Sequence, residues 1–229
     1  MIPRRLPAFG KGWSAIIRKS MENHEPRPIH DAFAADYDRQ ALEYHCFIPE
    51  ILFGMCYEYL APGEWVLDIG IGTGLSAAPF SKAGLDVSGI DVSQKMLEIC
   101  REKGFASDLR QFDISNRPWP YPDAAFDHAI CCGVIHFFDD LEGVFLEVAR
   151  IVRPRGTFSF TSKVPPPGRG GVYREVIGGI PVYSHDIKIL DQLGVHHGFQ
   201  TLKMARVLVG DERDQSDGLF RAFVTRRKP

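Results

Sequence analysis

Glu64-Trp65-Val66-Leu67-Asp68-Ile69-Gly70-Ile71-Gly72-Thr73-Gly74 decides the fold of this chain. A short apolar run, Trp65 to Leu67, ends in an acid, Asp68, and glycines follow at alternate positions 70, 72 and 74. The run predicts a buried parallel strand, Trp65–Asp68, that turns tightly into a helix. Glycines in such a turn let the backbone take positive φ and let a ligand lie directly against the main chain. Asp68, at the carboxyl end of the strand, is placed to accept hydrogen bonds from an ammonium group. A rival reading takes Gly72-Thr-Gly74-Leu-Ser-Ala77 as the relaxed dinucleotide fingerprint GxGxxA, with Asp91 about 20 residues on. Two features weigh against it. Asp68 would sit close to a pyrophosphate and repel it, and the spacing here is a full GxGxG, which that fingerprint does not need.

Working outward, strands and helices alternate. A helix with Ile51, Leu52, Met55, Cys56, Tyr59 and Leu60 on one stripe is expected from Pro49 to Leu60. Another should run from Thr73 to about Lys82, kinked or shortened by Pro79. Strands are expected at Asp86–Asp91, about Phe105–Phe112, Phe126–Cys131 and Thr157–Thr161. Ser93 can cap a helix carrying Met96, Leu97 and Cys100, and Leu141–Ile151 has helical apolar spacing. A Pro/Gly-rich stretch, Val164 to Val182, allows a weak helix at Tyr173–Ile177, and Ser184 is a candidate cap for a helix Ile187–Leu193. Strands at about Leu202–Val209 and Leu219–Thr225 flank a polar hairpin, Gly210–Gly218. This alternation specifies an α/β fold, a doubly wound parallel sheet with right-handed crossovers.

The whole chain, 229 residues with net charge −2, fits one such domain with trimmings and carries no global basic field for nucleic acid. No apolar run approaches the ~18 residues of a membrane helix. Five cysteines without CxxC spacing point to reduced thiols in a cytoplasmic protein rather than a disulfide frame or zinc site. His196-His197 have no Cys or acid at ligand spacing, so no metal is expected. Residues 1–20 hold Arg4, Arg5, Lys11, Arg18 and Lys19 and no acid. A transit peptide would look like this, as would a flexible tail or an upstream start with Met21 as the functional one. Residues 1–30 are read as a flexible basic extension.

Asp68 followed by GxGxG resembles the first motif of the class I S-adenosylmethionine-dependent methyltransferases. Asp113 … Trp119-Pro-Tyr-Pro-Asp123 … Phe126-Asp127 is similar to that family's "D…LPFPD…FD" run, and Cys131-Cys-Gly-Val-Ile-His-Phe-Phe-Asp139 resembles its fourth motif. Asp31 to Arg39 contains a Tyr-Asp pair similar to the family's lid element. The resemblance covers about residues 31–225 and is closest to small stand-alone UbiE-like enzymes. Tyr183-Ser-His185 followed by Gly198-Phe199 looks like a group called TPR-repeat methyltransferases, although no repeat is present. It implies a Rossmann-like sheet in the order 3-2-1-4-5-7-6, mostly parallel with an antiparallel C-terminal strand. It also implies a domain spanning 31–229, with lid helices at 31–60 and a substrate-side lid at 164–183.

Ligands of such sheets bind at the carboxyl ends of the strands. Asp91 there could take both ribose hydroxyls of a nucleoside, or be a surface acid or helix cap. Val92 and Met96 would flank an adenine, although Met96 could equally be core. By resemblance, Asp113 accepts from the adenine amino group, with Asp108 as competitor, and the Ile114 N–H donates to the ring. Asp127 reads as structural. Cys132 and Gly133 would lie beside the methionine part through main-chain atoms, with Asp68, Gly70, Gly72 and Gly74 around it. Tyr37 could cover the sulfonium by a cation–π contact or simply staple the lid to the core. His136 is the candidate base or orienting group, against a cap or surface role. Arg169, Arg174, Tyr173 and Tyr183 would line a lid.

The resulting expectation is an S-adenosylmethionine-dependent methyltransferase (EC 2.1.1.-) acting on a small-molecule acceptor by SN2. Nucleic acid and membrane partners are not expected, and the protein would be a monomer or homodimer. The protein-arginine and NPPY signatures are absent, Cys132-Gly-Val-Ile standing in the latter's place. An NAD(P)-dependent oxidoreductase is the alternative enzyme, disfavoured because no Tyr-x-x-x-Lys appears. A non-catalytic S-adenosylmethionine-binding regulator would look the same in sequence.

Overall fold

A computed structural model describes residues 31, 34–43, 45–177, 179–209 and 218–229. The predicted basic extension, 1–30, and the tip of the predicted C-terminal hairpin, 210–217, lie outside the described residues. Nine strands are described: β1 (Trp65–Ile69), β2 (Asp86–Asp91), β3 (Ala106–Gln111), β4 (Phe126–Cys131), β5 (Val152–Lys163), β6 (Val172–Ile177), β7 (Ile180–His185), β8 (Phe199–Leu208) and β9 (Leu219–Arg227). The helices are α1 (Tyr37–Glu43), α2 (Ile48–Cys56), α3 (Ala78–Lys82), α4 (Gln94–Glu102), α5 (Glu142–Ile151) and α6 (Ile187–His196).

Seven strands form one sheet in the order β3-β2-β1-β4-β5-β9-β8. Strands β1 to β5 pair in parallel, and β9 runs antiparallel to both β5 and β8. With β8 and β9 as sixth and seventh, this is the expected order. The sheet is covered on both faces, which is why its central strands read as continuous apolar runs. Side chains alternate between two apolar clusters with the period of two that a strand imposes. Leu67, Ile69, Ala129, Cys131 and Phe223 join one cluster with α5 and α6. Val66, Ile130, Ala222 and Val224 join the other with α2, α3 and α4. In the first, Phe145 meets Phe158 and Phe160 edge-on at 5.6 and 5.5 Å, and Phe160 stacks on Phe223 at 4.8 Å. Each such pair adds about 0.5–1.5 kcal/mol beyond burial.

Three expectations change. The helix after the glycines is only Ala78–Lys82, with Pro79 in its first turn, where the missing N–H costs nothing. Tyr173–Ile177 is not helical: it lies in β6, which pairs with β7 as a separate antiparallel hairpin. The β-branched residues Val172, Val176, Ile177 and Val182 favour the pleated form. Ser184 is buried in β7 and caps nothing; Asp186 caps α6, its Oδ1 accepting from the Lys188 N–H at 2.8 Å. Among the described residues, no helix is long and apolar enough to cross a membrane.

Candidate functional site

The end of β1 is tied to the end of β2. The N–H groups of Gly70 and Ile71 both donate to the Ile90 carbonyl, at 2.8 and 3.0 Å. Gly70 has φ +73°, and a Cβ there would come within 2.4 Å of Val134 Cγ2. Gly72 has φ +54°, yet a Cβ on it would meet nothing within 4 Å. The loop therefore presents bare main chain to open space. The Gly74 N–H closes the turn onto the Ile71 carbonyl at 2.8 Å.

Asp68 lies at the base of this loop, fully buried. Its Oδ2 accepts from the Ser76 hydroxyl at 2.7 Å, while Oδ1 is sealed from solvent without a hydrogen-bond partner among the described residues. Burial pushes the carboxyl up to about 7 against the pull of Ser76, and the nearby Asp91 carboxylate adds to the rise. A buried acceptor left unsatisfied costs about 1–3 kcal/mol. A ligand cation would remove that cost.

Asp91 ends β2 with both oxygens engaged by main chain: Oδ2 accepts from Gly72 N–H and Oδ1 from Ser93 N–H, each at 2.8 Å. Ser93 caps α4, accepting from Met96 N–H at 3.2 Å, and its hydroxyl donates to Asp31 at 2.5 Å. Val92 is half-buried, and its carbonyl accepts from the Gln111 side chain. Met96 is buried without joining either apolar cluster. After β3, Asp113 Oδ1 accepts from the N–H and hydroxyl of Ser115, at 3.0 and 2.5 Å. The buried Ile114 takes the Trp119 indole N–H on its carbonyl at 3.1 Å. Glu147 on α5 holds this segment by accepting from Trp119 N–H at 2.7 Å. Asp108 instead pairs with Arg110 at 2.8 Å. Asp127 is structural as expected, accepting from Trp65 N–H and Arg153, which together outweigh burial and lower its pKa.

The N-terminal segment straps onto the glycine loop. Asp38 accepts from the Thr73 hydroxyl and pairs with Lys103, both at 2.5 Å. Beside it, Tyr37 faces a narrow cleft of about 60 Å³ lined also by Gly70, Gly72, Ser76, Cys132, Gly133 and Phe220. Burial, then Cys46 and Cys132, then Asp91, push the Tyr37 hydroxyl well above the ordinary tyrosine range. The Gly133 N–H donates to Thr161 of β5 at 2.8 Å. The five cysteines are free thiols. His136 sits in a short 3-10 turn, Ile135–Phe137, fully buried, and does not line the cleft. Its ring packs at 4.3 Å from Phe137 and edge-on to Phe220 at 5.8 Å. A second cavity, about 580 Å³, lies between α6 and β8–β9 and is lined by none of the predicted residues.

Five predicted residues thus meet in one cleft: Tyr37, Gly70, Gly72, Cys132 and Gly133. Sequence reasoning missed Ser76, Thr161, Phe220 and the tethering role of Asp38. Ser76 is eight positions from Asp68, a contact created by the turn, and Thr161 and Phe220 arrive from distant strands.

A family model described as a methyltransferase domain matches residues 67–160, from within β1 to within β5. Residues 67–160 are thus similar to a methyltransferase domain, and the fold around them is that of the class I S-adenosylmethionine-dependent methyltransferases. A methyltransferase similar to it in sequence is demethylmenaquinone methyltransferase of Tropheryma whipplei (strain Twist), 33% identical over 94 residues, 41% of this chain and 39% of that protein. 27-O-demethylrifamycin SV methyltransferase of Amycolatopsis mediterranei (strain S699) is 30% identical over 169 residues, 72% of this chain and 61% of that one. The chain therefore spans less than two thirds of either relative. The Burkholderia thailandensis 1,6-didemethyltoxoflavin-N1-methyltransferase shares the fold, with TM-score 0.64 at 17% identity over 90% of this chain and 92% of the other. Two features around the β1–β2 loop suit the methyltransferase cofactor: an orphaned carboxylate oxygen for its ammonium, and open space over Gly72 for close approach to the backbone.

Proposed function

We propose that the protein is an S-adenosylmethionine-dependent methyltransferase that moves a methyl group to a small-molecule acceptor and releases S-adenosylhomocysteine. The observation that carries this reading is Asp68, a buried carboxylate whose Oδ1 lacks a partner among the described residues, beneath a bare glycine loop. Bound S-adenosylmethionine supplies an activated sulfonium methyl. The chain's own work is to hold, orient and exclude water, which in model reactions lowers barriers by up to ~7–11 kcal/mol. Asp68 accepts the ammonium, and the main chain of Gly70, Gly72, Gly74, Cys132 and Gly133 borders the methionine part. Asp91, already fixed by two N–H groups, accepts from the ribose hydroxyls. Val92 and Met96 wall the adenine, and Asp113 and Ile114 address its edge. Tyr37 closes the cleft above.

His136 is fully buried with its ring edge-on to Phe220, so we assign it to orienting that ring rather than to proton transfer. The helices at 31–60 serve as a lid on the donor, and 164–183 as a lid on the acceptor. The relatives named above take their names from small molecules, which favours such an acceptor here.

Calorimetric titration with S-adenosylhomocysteine, with NADH in parallel and Asp91→Ala as control, tests the reading. Micromolar binding of the former, lost in the variant, supports it. Binding of NADH alone recasts the loop as a pyrophosphate cradle.

A further inference from the structure

Helix α6 ends in His196, and His197 follows as its C-cap. Sequence spacing gives this pair no third ligand, but the fold does. Glu142, the first residue of α5, places Oε1 2.9 Å from His197 Nε2 and 3.9 Å from His196 Nε2. One ligand atom from each of the three residues lies within 4.8 Å of the other two, the only such group among the described residues. We propose that Glu142, His196 and His197 form a divalent-metal site of zinc type that clips α5 to α6, distinct from the methyl-transfer cleft.

The geometry and the ligand chemistry support it. A tetrahedral Zn²⁺ with bonds of about 2.0–2.1 Å holds its ligand atoms about 3.4 Å apart. The two carboxylate–imidazole distances, 2.9 and 3.9 Å, bracket that value. The His197 side chain is 7% exposed, with its ring 6.4 Å from Phe145, so one ligand is held in place before any ion arrives. Side chains of His196 and Glu142 are 72% and 47% exposed, free to adjust by the ångström required and leaving an entry path and a fourth position for water. The two imidazole rings stand at 87° with centroids 4.8 Å apart, so they approach the carboxylate from different directions. Two imidazoles and one carboxylate suit Zn²⁺ and its neighbours, not the all-oxygen preference of Ca²⁺ or Mg²⁺. None of the three residues lines the cleft between Tyr37 and Phe220. An ion here would fix the C-terminal end of α6, where the chain enters β8, against the start of α5.

The test is titration of the full chain, thiols reduced, with Zn²⁺ by calorimetry and with Co²⁺ by absorption. One equivalent should bind, with cobalt d–d bands and no sulfur-to-cobalt charge-transfer band in the near ultraviolet. H196A and E142Q, both changes at exposed side chains, should each weaken Zn²⁺ binding at least tenfold. Both should keep wild-type affinity for S-adenosylhomocysteine, which separates this site from the proposed donor site. Wild-type Zn²⁺ affinity in H196A, a thiolate band, or no Zn²⁺ uptake by the intact protein would each overturn the proposal.

Discussion

The glycine-loop side of this molecule and its β6–β7 hairpin are built by opposite means. On the side proposed to hold the methyl donor, β1, β2 and β4 end in loops whose main-chain groups do the work: Gly72 and Ser93 N–H hold Asp91, and Gly133 N–H is held by Thr161. On the other side, the β6–β7 hairpin is anchored by side chains: buried Lys163 pairs with Glu175, and His185 meets the Asp139 carbonyl at 3.3 Å. Main-chain recognition demands particular residues at particular positions, because only glycine tolerates the φ and the close approach. Side-chain anchoring demands a charge somewhere on a strand. The first leaves a signature in sequence and the second leaves almost none.

The comparison breaks most visibly at Asp91. Asp91→Ala strips two main-chain donors of a charged acceptor, each such bond contributing about 1.5–3 kcal/mol. Calorimetry should show S-adenosylhomocysteine affinity falling at least a hundredfold; unchanged affinity would mean the main-chain scaffold is not the donor site. Glu175→Gln leaves the buried Lys163 ammonium without its charge partner, and we expect urea unfolding to show a loss of about 1–2 kcal/mol. Affinity for S-adenosylhomocysteine should stay within about twofold. A parallel loss of affinity would show that the two sides are not separable.

Asp68 offers a pH test. Its folded pKa of about 7 lies above the unfolded value of about 3.9. The folded apo-protein therefore binds the extra proton between those values, and its stability falls as pH rises from about 4 to 7. An ammonium ligand needs the ionised form, so affinity should drop about tenfold per unit below pH 7 and level off above it. Asp68→Asn should bind more weakly with a flat profile; a sloping profile in the variant would assign the titration elsewhere. The smallest effect belongs to the strap. Asp38→Ala removes a half-exposed pair with Lys103 and a bond to Thr73, worth about 1 kcal/mol or less. Affinity should fall about threefold, and added salt should shrink the difference between variant and wild type.

Much of the sheet was legible from residues 64–74 outward, because buried parallel strands are apolar on both faces and their loops are marked by glycine and aspartate. The hairpin at 172–185 was not, since Pro and Gly around Val164–Gly171 hide a short alternating pattern. Ser184 drew attention as a cap because its hydroxyl lies near the helix start, whereas Asp186, immediately before Ile187, is the residue that accepts from Lys188. The glycines and Asp91 announced themselves by spacing. Ser76, Thr161 and Phe220 could not, because each reaches the cleft through tertiary contact. The same holds for Glu142, 54 positions from His196.

Strand β9 is the last of the described strands, yet it lies inside the sheet, between β5 and β8. During synthesis β8 emerges before β9, its neighbour in the sheet, and reaches its place only when the two insert together as a hairpin beside β5. Phe220, which walls the cleft opposite Tyr37, arrives with that hairpin. The cleft therefore cannot be completed on the ribosome until β9 has emerged. A nascent chain stalled before residue 219 would carry the entire glycine motif and still lack one wall of the cleft.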